Sequence, residues 1–196
     1  MKGCQAKVLS SAQISAVRGY FVEHHGVRFR LRNRVMFDLS LLAGLRSSDI
    51  AGLRWKSVLE GNLAASTIRL EAGRTKLKMG GEIPLHPSLK ANLELLFEEA
   101  GRPDLNQSVI VTQSGRTFTA QEITSWFFAL FKKLGFAGCS SHSGRRTFIT
   151  NLARRISLHG GSIRDVQRLA RHRSLQTTSS YIAYNEGAAE AAVAAL

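Results

Sequence analysis

The sequence predicts an α+β fold that is mostly helical and carries a small antiparallel β-sheet. Apolar residues recur at helical spacing along most of the 196 residues, and two short stretches between residues 66 and 85 read instead as strands. Hydrophobic residues make up 44% of the chain, which is typical of a folded globular protein. We expect a single domain over residues 1–196, with a core from about residue 9 to 184 and a tail at 185–196.

The first third of the chain predicts three helices. Ser10 and Gln13 have the spacing of a capping box, in which each side chain satisfies the other's backbone N–H, so a helix begins here. A second helix, from about residue 31 to 45, has apolar positions too dense for an exposed helix and should be central. A short third helix follows, and Ser47 or Ser48 is expected to cap it.

The middle of the chain predicts a β-hairpin and then a helix. Residues 66–70 and 81–85 have the composition of short strands, and the segment that separates them is rich in glycine and lysine, as a hairpin tip is. A helix is expected from Pro87, which is well placed in a first turn, to Glu99.

The last part of the chain predicts four further helices and a tail. Thr119 and Glu122 form a second capping-box pattern, and the helix they open should end at Gly135. Helices are expected at about 144–156, 162–171 and 174–184, and the alanine-rich tail is helix-prone but short. Four aromatic residues are assigned to the core rather than to a base-stacking surface: Trp55, Trp126, Phe127 and Phe131.

The charge of the chain indicates a polyanionic partner. Lysine and arginine number 27 against 14 acids, a net charge of +13, and residues 141–184 contain eight arginines and one acid. Such an excess is typical of nucleic-acid-binding proteins. No apolar stretch reaches the roughly 20 residues of a membrane span, and no secretory signal is visible. Two cysteines are too few for a disulfide framework or a zinc site, so we expect a cytoplasmic, nucleoid-associated protein without a metal or cofactor.

Four basic clusters lie at the ends of predicted elements or on loops. Arg46 follows the buried second helix, and Lys76 lies with Lys78 on the hairpin. His142 and Arg145 stand three residues apart at the start of a helix, where positive charge is disfavoured unless an anion binds there. The fourth cluster places His172 nine residues before Tyr181.

In this order and at these separations, the clusters resemble the catalytic domain of the tyrosine recombinases, the phage integrase family. That family shows an Arg in a Gly-Leu-Arg turn, a Lys on a β-hairpin, His-x-x-Arg, and a Leu-Gly-His-like motif followed by a Tyr. The resemblance implies a site-specific recombinase that cleaves and rejoins DNA through a 3′-phosphotyrosyl intermediate, without metal or ATP. It assigns Tyr181 as the nucleophile and gives the supporting roles to five further residues: Arg46, Lys76, His142, Arg145 and His172.

The resemblance also implies double-stranded DNA as partner, a homodimer or tetramer on DNA with the tail as a contact between protomers, and accessory DNA-bending proteins. Larger relatives carry an N-terminal helical domain that closes around DNA, and none is expected within these residues. Two departures from the family pattern are Arg171, where glycine is usual, and Gly144, where leucine is common. We expect Gly144 to remove a core contact and to loosen the start of its helix.

Alternatives stay open at every position. Arg46 could simply cap a helix end with Asp49 as its surface partner, His172 could be a core histidine, and Lys78 could replace Lys76 as the general acid. Tyr181 could be a packed aromatic residue that shares a face with Tyr184. For the whole chain, the rivals are a type IB topoisomerase-like enzyme and a non-catalytic DNA-binding regulator with the same fold.

Overall fold

A computed structural model describes residues 6–23, 29–71, 80–181 and 194 of the chain. The chain divides into two compact units, residues 1–148 and 149–196, and the boundary falls within a helix after Phe148. Among the described residues, no helix combines the length and the apolar character that a membrane crossing requires.

Helices dominate both units. The helices of the first unit are α1 (Ser11–Glu23), α2 (Arg30–Leu42), α3 (Ser47–Gly52), α4 (Pro87–Glu99), α5 (Ala120–Lys133) and the start of α6 (Ser143–Arg155). The second unit holds the rest of α6, then α7 (Ile163–Ala170) and α8 (Leu175–Ser179). Short 3-10 turns lie at Trp55–Ser57 and Ile156–His159. The mostly helical fold with small antiparallel sheets is therefore confirmed.

Two small antiparallel hairpins belong to the first unit. Strands β3 (Thr67–Leu70) and β4 (Gly81–Pro84) pair with Ile68 opposite Ile83, as the sequence predicts for this hairpin. A second pair, β1 (Leu59–Glu60) with β2 (Leu63–Ala64), was not predicted, because two-residue strands are too short to show a period. The tip of the larger hairpin, including Lys76 and Lys78, lies outside the described residues.

The apolar core of the first unit is built around α2, which is buried along most of its length. Val35, Met36, Phe37 and Leu39 are all inaccessible to solvent, which confirms the predicted central helix. The aromatic residues assigned to the core are there, since Trp55, Phe127 and Phe131 are buried and Trp126 stacks on Phe21 with 6.1 Å between ring centroids.

A buried carboxylate links three helices of this core. Asp38 of α2 is inaccessible to solvent and accepts a hydrogen bond from Arg18 of α1 at 3.0 Å. Asn92 of α4 lies 3.4 Å from the other carboxylate oxygen. Burial raises the pKa of the Asp38 carboxyl, and the hydrogen bond and charge of Arg18 oppose that rise. The carboxylate thus has partners on both neighbouring helices, as a buried charge requires.

The two capping boxes that the sequence predicts for α1 and α5 are confirmed. Ser10 and Gln13 exchange hydrogen bonds of 3.0 and 3.2 Å at the start of α1. Thr119 and Glu122 exchange the same kind of hydrogen bonds at the start of α5. Arg116 also binds the Glu122 carboxylate. The bond to Arg116 and then those to Thr119 lower the pKa of Glu122 to about 2. The predicted C-terminal helix is shorter than expected, because α8 ends at Ser179 and Tyr181 lies in the turn that follows.

Candidate functional site

Arg46 occupies the residue that caps helix α3. Its backbone is extended, and its N–H donates to Oδ2 of Asp49 at 3.0 Å. The guanidinium Nη1 lies 4.0 Å from the same oxygen, and the Asp49 side chain is fully buried while that of Arg46 is 25% exposed. The prediction that Ser47 or Ser48 caps α3 was wrong, because the carboxylate one turn into the helix binds the Arg46 backbone instead. Asp49 therefore holds Arg46 in place and leaves part of its guanidinium accessible.

The start of helix α6 is fixed by two serines on either side of His142. The Ser140 N–H donates to Oγ of Ser143 at 3.0 Å, and the His142 N–H donates to Oγ of Ser140 at 3.3 Å. The carbonyl of His142 accepts the Arg146 N–H at 2.8 Å, so the helical hydrogen bonds begin at His142. The ring of His142 is exposed at this end of the helix. The serines thus set its backbone and leave its side chain accessible.

Arg145 is the most deeply placed of the predicted basic groups in the first unit. Its side chain is only 3% exposed, and Nη1 donates to the backbone carbonyl of Gly44, in the turn that joins α2 to α3. Gly44 has φ of +61°, and a Cβ built there would lie 2.4 Å from the Phe148 ring. Only glycine meets both demands. Any other residue at position 44 would therefore shift the backbone carbonyl that Arg145 binds.

Gly144 lies against helix α2. A Cβ at this position would meet Oγ of Ser40 at 2.6 Å and its backbone carbonyl carbon at 3.2 Å. The expectation that glycine removes a core contact here was wrong, because the site has no room for a side chain, and the expected loosening of the helix start stays a prediction. The missing side chain of Gly144 allows two helices to approach closely, and this approach brings the α6 terminus next to the turn at Gly44.

The cations in this region act on one another electrostatically. The pKa of His142 is lowered, first by partial desolvation of the ring and then by the charges of Arg145 and Arg46. Both arginines are thus close enough to the ring to disfavour a third positive charge. A neutral imidazole and two fixed guanidinium groups at a helix N-terminus form a set suited to binding an oxyanion such as phosphate.

In the second unit, His172 and Tyr181 are brought together as the nine-residue spacing predicts. Their rings stack with centroids 5.4 Å apart and an interplanar angle of 29°. His172 is 6% exposed, and its Nδ1 lies 3.0 Å from Oγ1 of Thr178, a residue inaccessible to solvent. Tyr181 is half-buried. The alternative that His172 is a core histidine accounts for its burial but not for the ring it faces.

Three residues around this pair escaped the sequence reasoning. Thr178 contacts the imidazole, Gln167 bonds the backbone of His172 on both sides, and Thr150 donates to the Tyr181 carbonyl at 3.3 Å. Thr178 could have been noticed, since it stands between the two predicted site residues, three before Tyr181, in a run of hydroxyl side chains. Gln167 and Thr150 carry no such signal.

Arg171 adopts the left-handed conformation, with φ of +52°, at the end of α7. This backbone shape explains why glycine is usual at the corresponding place in the family pattern, because a side chain costs about 1 kcal/mol there. Arg171 is also buried. The second unit has exposed arginines as well, at positions 154, 155, 164, 168 and 173. Its single described acid, Asp165, is engaged by Ser162 at the start of α7.

Some predicted residues lie outside the described part of the chain. These are Lys76, Lys78, Tyr184 and the tail at 185–196, apart from residue 194. Their assignments stay predictions.

The chain resembles known proteins in both sequence and structure. Residues 13–187 match the profile of the phage integrase family. The chain is 28% identical over 192 residues to tyrosine recombinase XerD of Xanthomonas campestris, covering 89% of this chain and 54% of that protein. It is 27% identical over 157 residues to tyrosine recombinase XerD of Lacticaseibacillus casei, covering 77% and 50%. The chain thus spans about half the length of these curated relatives.

Solved structures share the fold. The Tn1549 transposon integrase in complex with a circular intermediate DNA superimposes with a TM-score of 0.74 at 20% identity, over 98% of this chain and 66% of that one. XerA recombinase gives a TM-score of 0.73 at 20% identity, over 93% and 62%. At these identities the likeness establishes the fold of the catalytic domain of tyrosine recombinases.

Proposed function

The chain belongs to the phage integrase family, and from this premise we propose that it is a site-specific DNA recombinase. It cleaves and rejoins DNA strands through a covalent 3′-phosphotyrosyl intermediate and needs neither metal nor ATP. Among the described residues, the observation that carries the proposal is the cluster of Arg46, His142 and Arg145. The two arginines lie within electrostatic reach of the histidine, and Arg145 is buried. Such clustered positive charge lowers the stability of the fold and is suited to binding a phosphate group.

Tyr181 is the proposed nucleophile. Its phenolic oxygen attacks the phosphorus of a phosphodiester, the new P–O bond forms, and the bond to the 5′-oxygen breaks. The reverse reaction with another 5′-hydroxyl restores the DNA backbone, and the covalent intermediate conserves the bond energy in the meantime. The stacking of Tyr181 on His172 supports this assignment, since it holds the attacking ring beside a hydrogen-bonding group.

The remaining groups serve the charge and the protons of the transition state. Arg46 and Arg145 neutralise the negative charge that develops on the non-bridging oxygens, and Asp49 and the Gly44 carbonyl keep the two guanidinium groups oriented. Lys76 gives a proton to the departing 5′-oxygen, and His142 takes the phenolic proton. The lowered pKa of His142 supports this role, because a base must be unprotonated at neutral pH.

Double-stranded DNA is the proposed partner. The exposed arginines of the second unit supply phosphate contacts, so binding should weaken steeply with salt. We extend the proposal to a dimer or tetramer on paired sites, with the tail at 185–196 as a contact between protomers, to accessory DNA-bending proteins, and to action at the nucleoid in the cytoplasm.

Covalent trapping tests the chemistry directly. The protein is incubated in EDTA with nicked duplexes drawn from sequences flanking its own gene, and SDS-resistant protein–DNA bands are counted. We expect a band from the wild-type chain, no band from Tyr181→Phe, and an unchanged band from the control Tyr20→Phe in α1. Tyr184→Phe tests the neighbouring tyrosine in the same way.

Two results would contradict the proposal. Salt-sensitive binding with no band from any chain would favour a non-catalytic regulator. A band together with relaxation of supercoiled DNA, but without strand exchange between two sites, would favour a topoisomerase-like activity.

A further inference from the structure

The imidazole of His172 has one hydroxyl partner that is sealed from water. Oγ1 of Thr178 lies 3.0 Å from Nδ1, and Thr178 has no accessible surface. A threonine hydroxyl carries one hydrogen, and a buried hydroxyl rarely leaves that hydrogen without an acceptor. The direction of this single hydrogen bond therefore determines which nitrogen of His172 bears the proton.

Within the described part of the chain, Nδ1 of His172 is the one acceptor recorded for the Thr178 hydroxyl. The other direction would have Nδ1–H donate to Thr178 and would leave the hydroxyl hydrogen buried without an acceptor among the described residues. Burying a hydroxyl hydrogen without an acceptor is unfavourable. The hydroxyl therefore donates to Nδ1, and the neutral ring carries its proton on Nε2.

Further hydrogen bonds fix the backbone of His172 and of Tyr181 around this contact. Gln167 accepts the His172 N–H at 3.0 Å, and its side-chain amide donates to the His172 carbonyl at 3.1 Å. On the other side of Thr178, its carbonyl accepts the Tyr181 N–H at 3.0 Å. Thr178 thus touches His172 through its side chain and Tyr181 through its main chain.

We infer that Thr178 is a positioning residue that holds His172 as the Nε2–H tautomer, so that this histidine donates a hydrogen bond to phosphate and does not accept the proton of Tyr181. The inference rests on the proposed function for its reaction step. An Nε2 that already carries hydrogen has no lone pair for a phenolic proton, whereas it can donate to a non-bridging phosphate oxygen. The two histidines then have opposite tasks, with His142 as the proton acceptor.

The experiment compares Thr178→Val, which keeps the shape and removes the hydroxyl, with Thr178→Ser, which keeps the hydroxyl. Nitrogen-15 NMR of the full chain labelled at histidine reports the tautomer without DNA, and His172→Gln assigns the signal. We expect the Nε2–H pattern in the wild type and in the serine variant, and mixed tautomers in the valine variant. With nicked DNA, Thr178→Val should form covalent complex at least about tenfold more slowly at unchanged DNA affinity, and Thr178→Ser should restore the rate.

Two outcomes would overturn the inference: an Nδ1–H pattern in the wild type, or an unchanged tautomer and rate in Thr178→Val. Should the valine variant fail to fold, the wild-type spectrum alone decides the tautomer. The test also separates this inference from the proposed function. An Nε2–H pattern in a chain that never forms a covalent complex would refute the proposed chemistry and leave the Thr178 geometry standing.

Discussion

The two histidine environments of this chain are built in contrasting ways. The side chain of His142 is accessible at the first turn of α6, where partial desolvation and then the charges of two arginines lower its pKa. His172 is buried, held by an uncharged threonine, and stacked on an aromatic ring. The first environment belongs to a unit with a large apolar core, and the second to a small unit whose described residues include six arginines and one aspartate.

Under the proposed function, this difference separates two tasks that phosphoryl transfer requires. Charge must be held rigidly where the transition state develops it, and the arginines of the first unit are held by a buried carboxylate and a main-chain carbonyl. The proposed nucleophile Tyr181 needs orientation more than charge, and the hydrogen bond from Thr150 to its carbonyl together with its stacking on His172 supports that orientation. Substitutions in the first environment should therefore act through electrostatics, and those in the second through geometry.

The largest effect on the rate of covalent-complex formation is expected from substitutions of Arg145. Arg145→Ala should slow covalent-complex formation by about 10²–10³-fold, the usual loss when a transition-state donor is removed. Arg145→Lys should fall between alanine and wild type, because it keeps the charge and loses the two-pronged geometry. The rates are measured with nicked DNA in single-turnover assays.

The matched control is Arg155→Ala, at the exposed end of the same helix. It should lower DNA affinity in a salt-dependent way and leave the cleavage rate of bound DNA unchanged. Equal rates for Arg145→Ala and wild type would show that the buried guanidinium is structural, and the contrast between the two environments would fail.

A smaller effect is expected at the contact between α6 and α2. Gly144→Ala places a Cβ 2.6 Å from the Ser40 hydroxyl and should lower the free energy of unfolding by about 1–3 kcal/mol, as overpacking does. Adding Ser40→Ala removes the nearest atom and should recover part of this loss. Urea unfolding of the single and double variants measures the coupling.

The NMR signal of His172 sharpens the comparison in these same variants. It should stay unchanged in Gly144→Ala, because the strain arises within the first unit. If Gly144→Ala were as stable as wild type, the close approach of the two helices would not be required. Loss of the His172 tautomer in that variant would show that the two environments are not independent.

The smallest expected effect is the pH dependence of stability that His142 contributes. Its pKa lies below the ordinary value of 6.5 in the folded chain, so the unfolded chain binds this proton more readily. Its contribution to stability is therefore full above pH 6.5 and falls as the pH drops from 6.5 toward the lowered pKa. Urea unfolding at pH 7.5 and 5.5 should show a smaller pH difference in His142→Gln than in wild type.

A pH difference in His142→Gln as large as in wild type would contradict this prediction. It would mean that neither burial nor the neighbouring arginines lower the pKa of His142 in the folded chain.

The helical framework could be read from the sequence because its signals are local. Ser10 with Gln13, and Thr119 with Glu122, announce helix starts within four residues, and the density of apolar residues around Phe37 marks α2 as buried. The β1–β2 hairpin escaped because two residues per strand carry no periodicity. The cap of α3 was misassigned because two serines and an aspartate compete for one helix start, and only the fold decides among them.

Within the candidate site, the ordered motifs indicated which residues belong to the site but not which residues hold them in place. Arg145 could be picked out by its spacing from His142, yet nothing local says that its partner is the carbonyl of Gly44, 101 residues away. Gly144 was misread for the same reason, since its neighbour Ser40 is far along the chain. Lys76 remains a prediction from spacing alone.

Gly44 illustrates how tightly a small residue can be constrained by its neighbours. Its positive φ, the Phe148 ring packed against its α-carbon and the carbonyl it offers to Arg145 are independent demands on one position. A different residue at position 44 could meet one or two of these demands, but it is tolerated only if it meets all three. A change at Gly44 therefore requires an earlier permissive change at Phe148, and the order in which mutations arise would decide whether a lineage keeps the site.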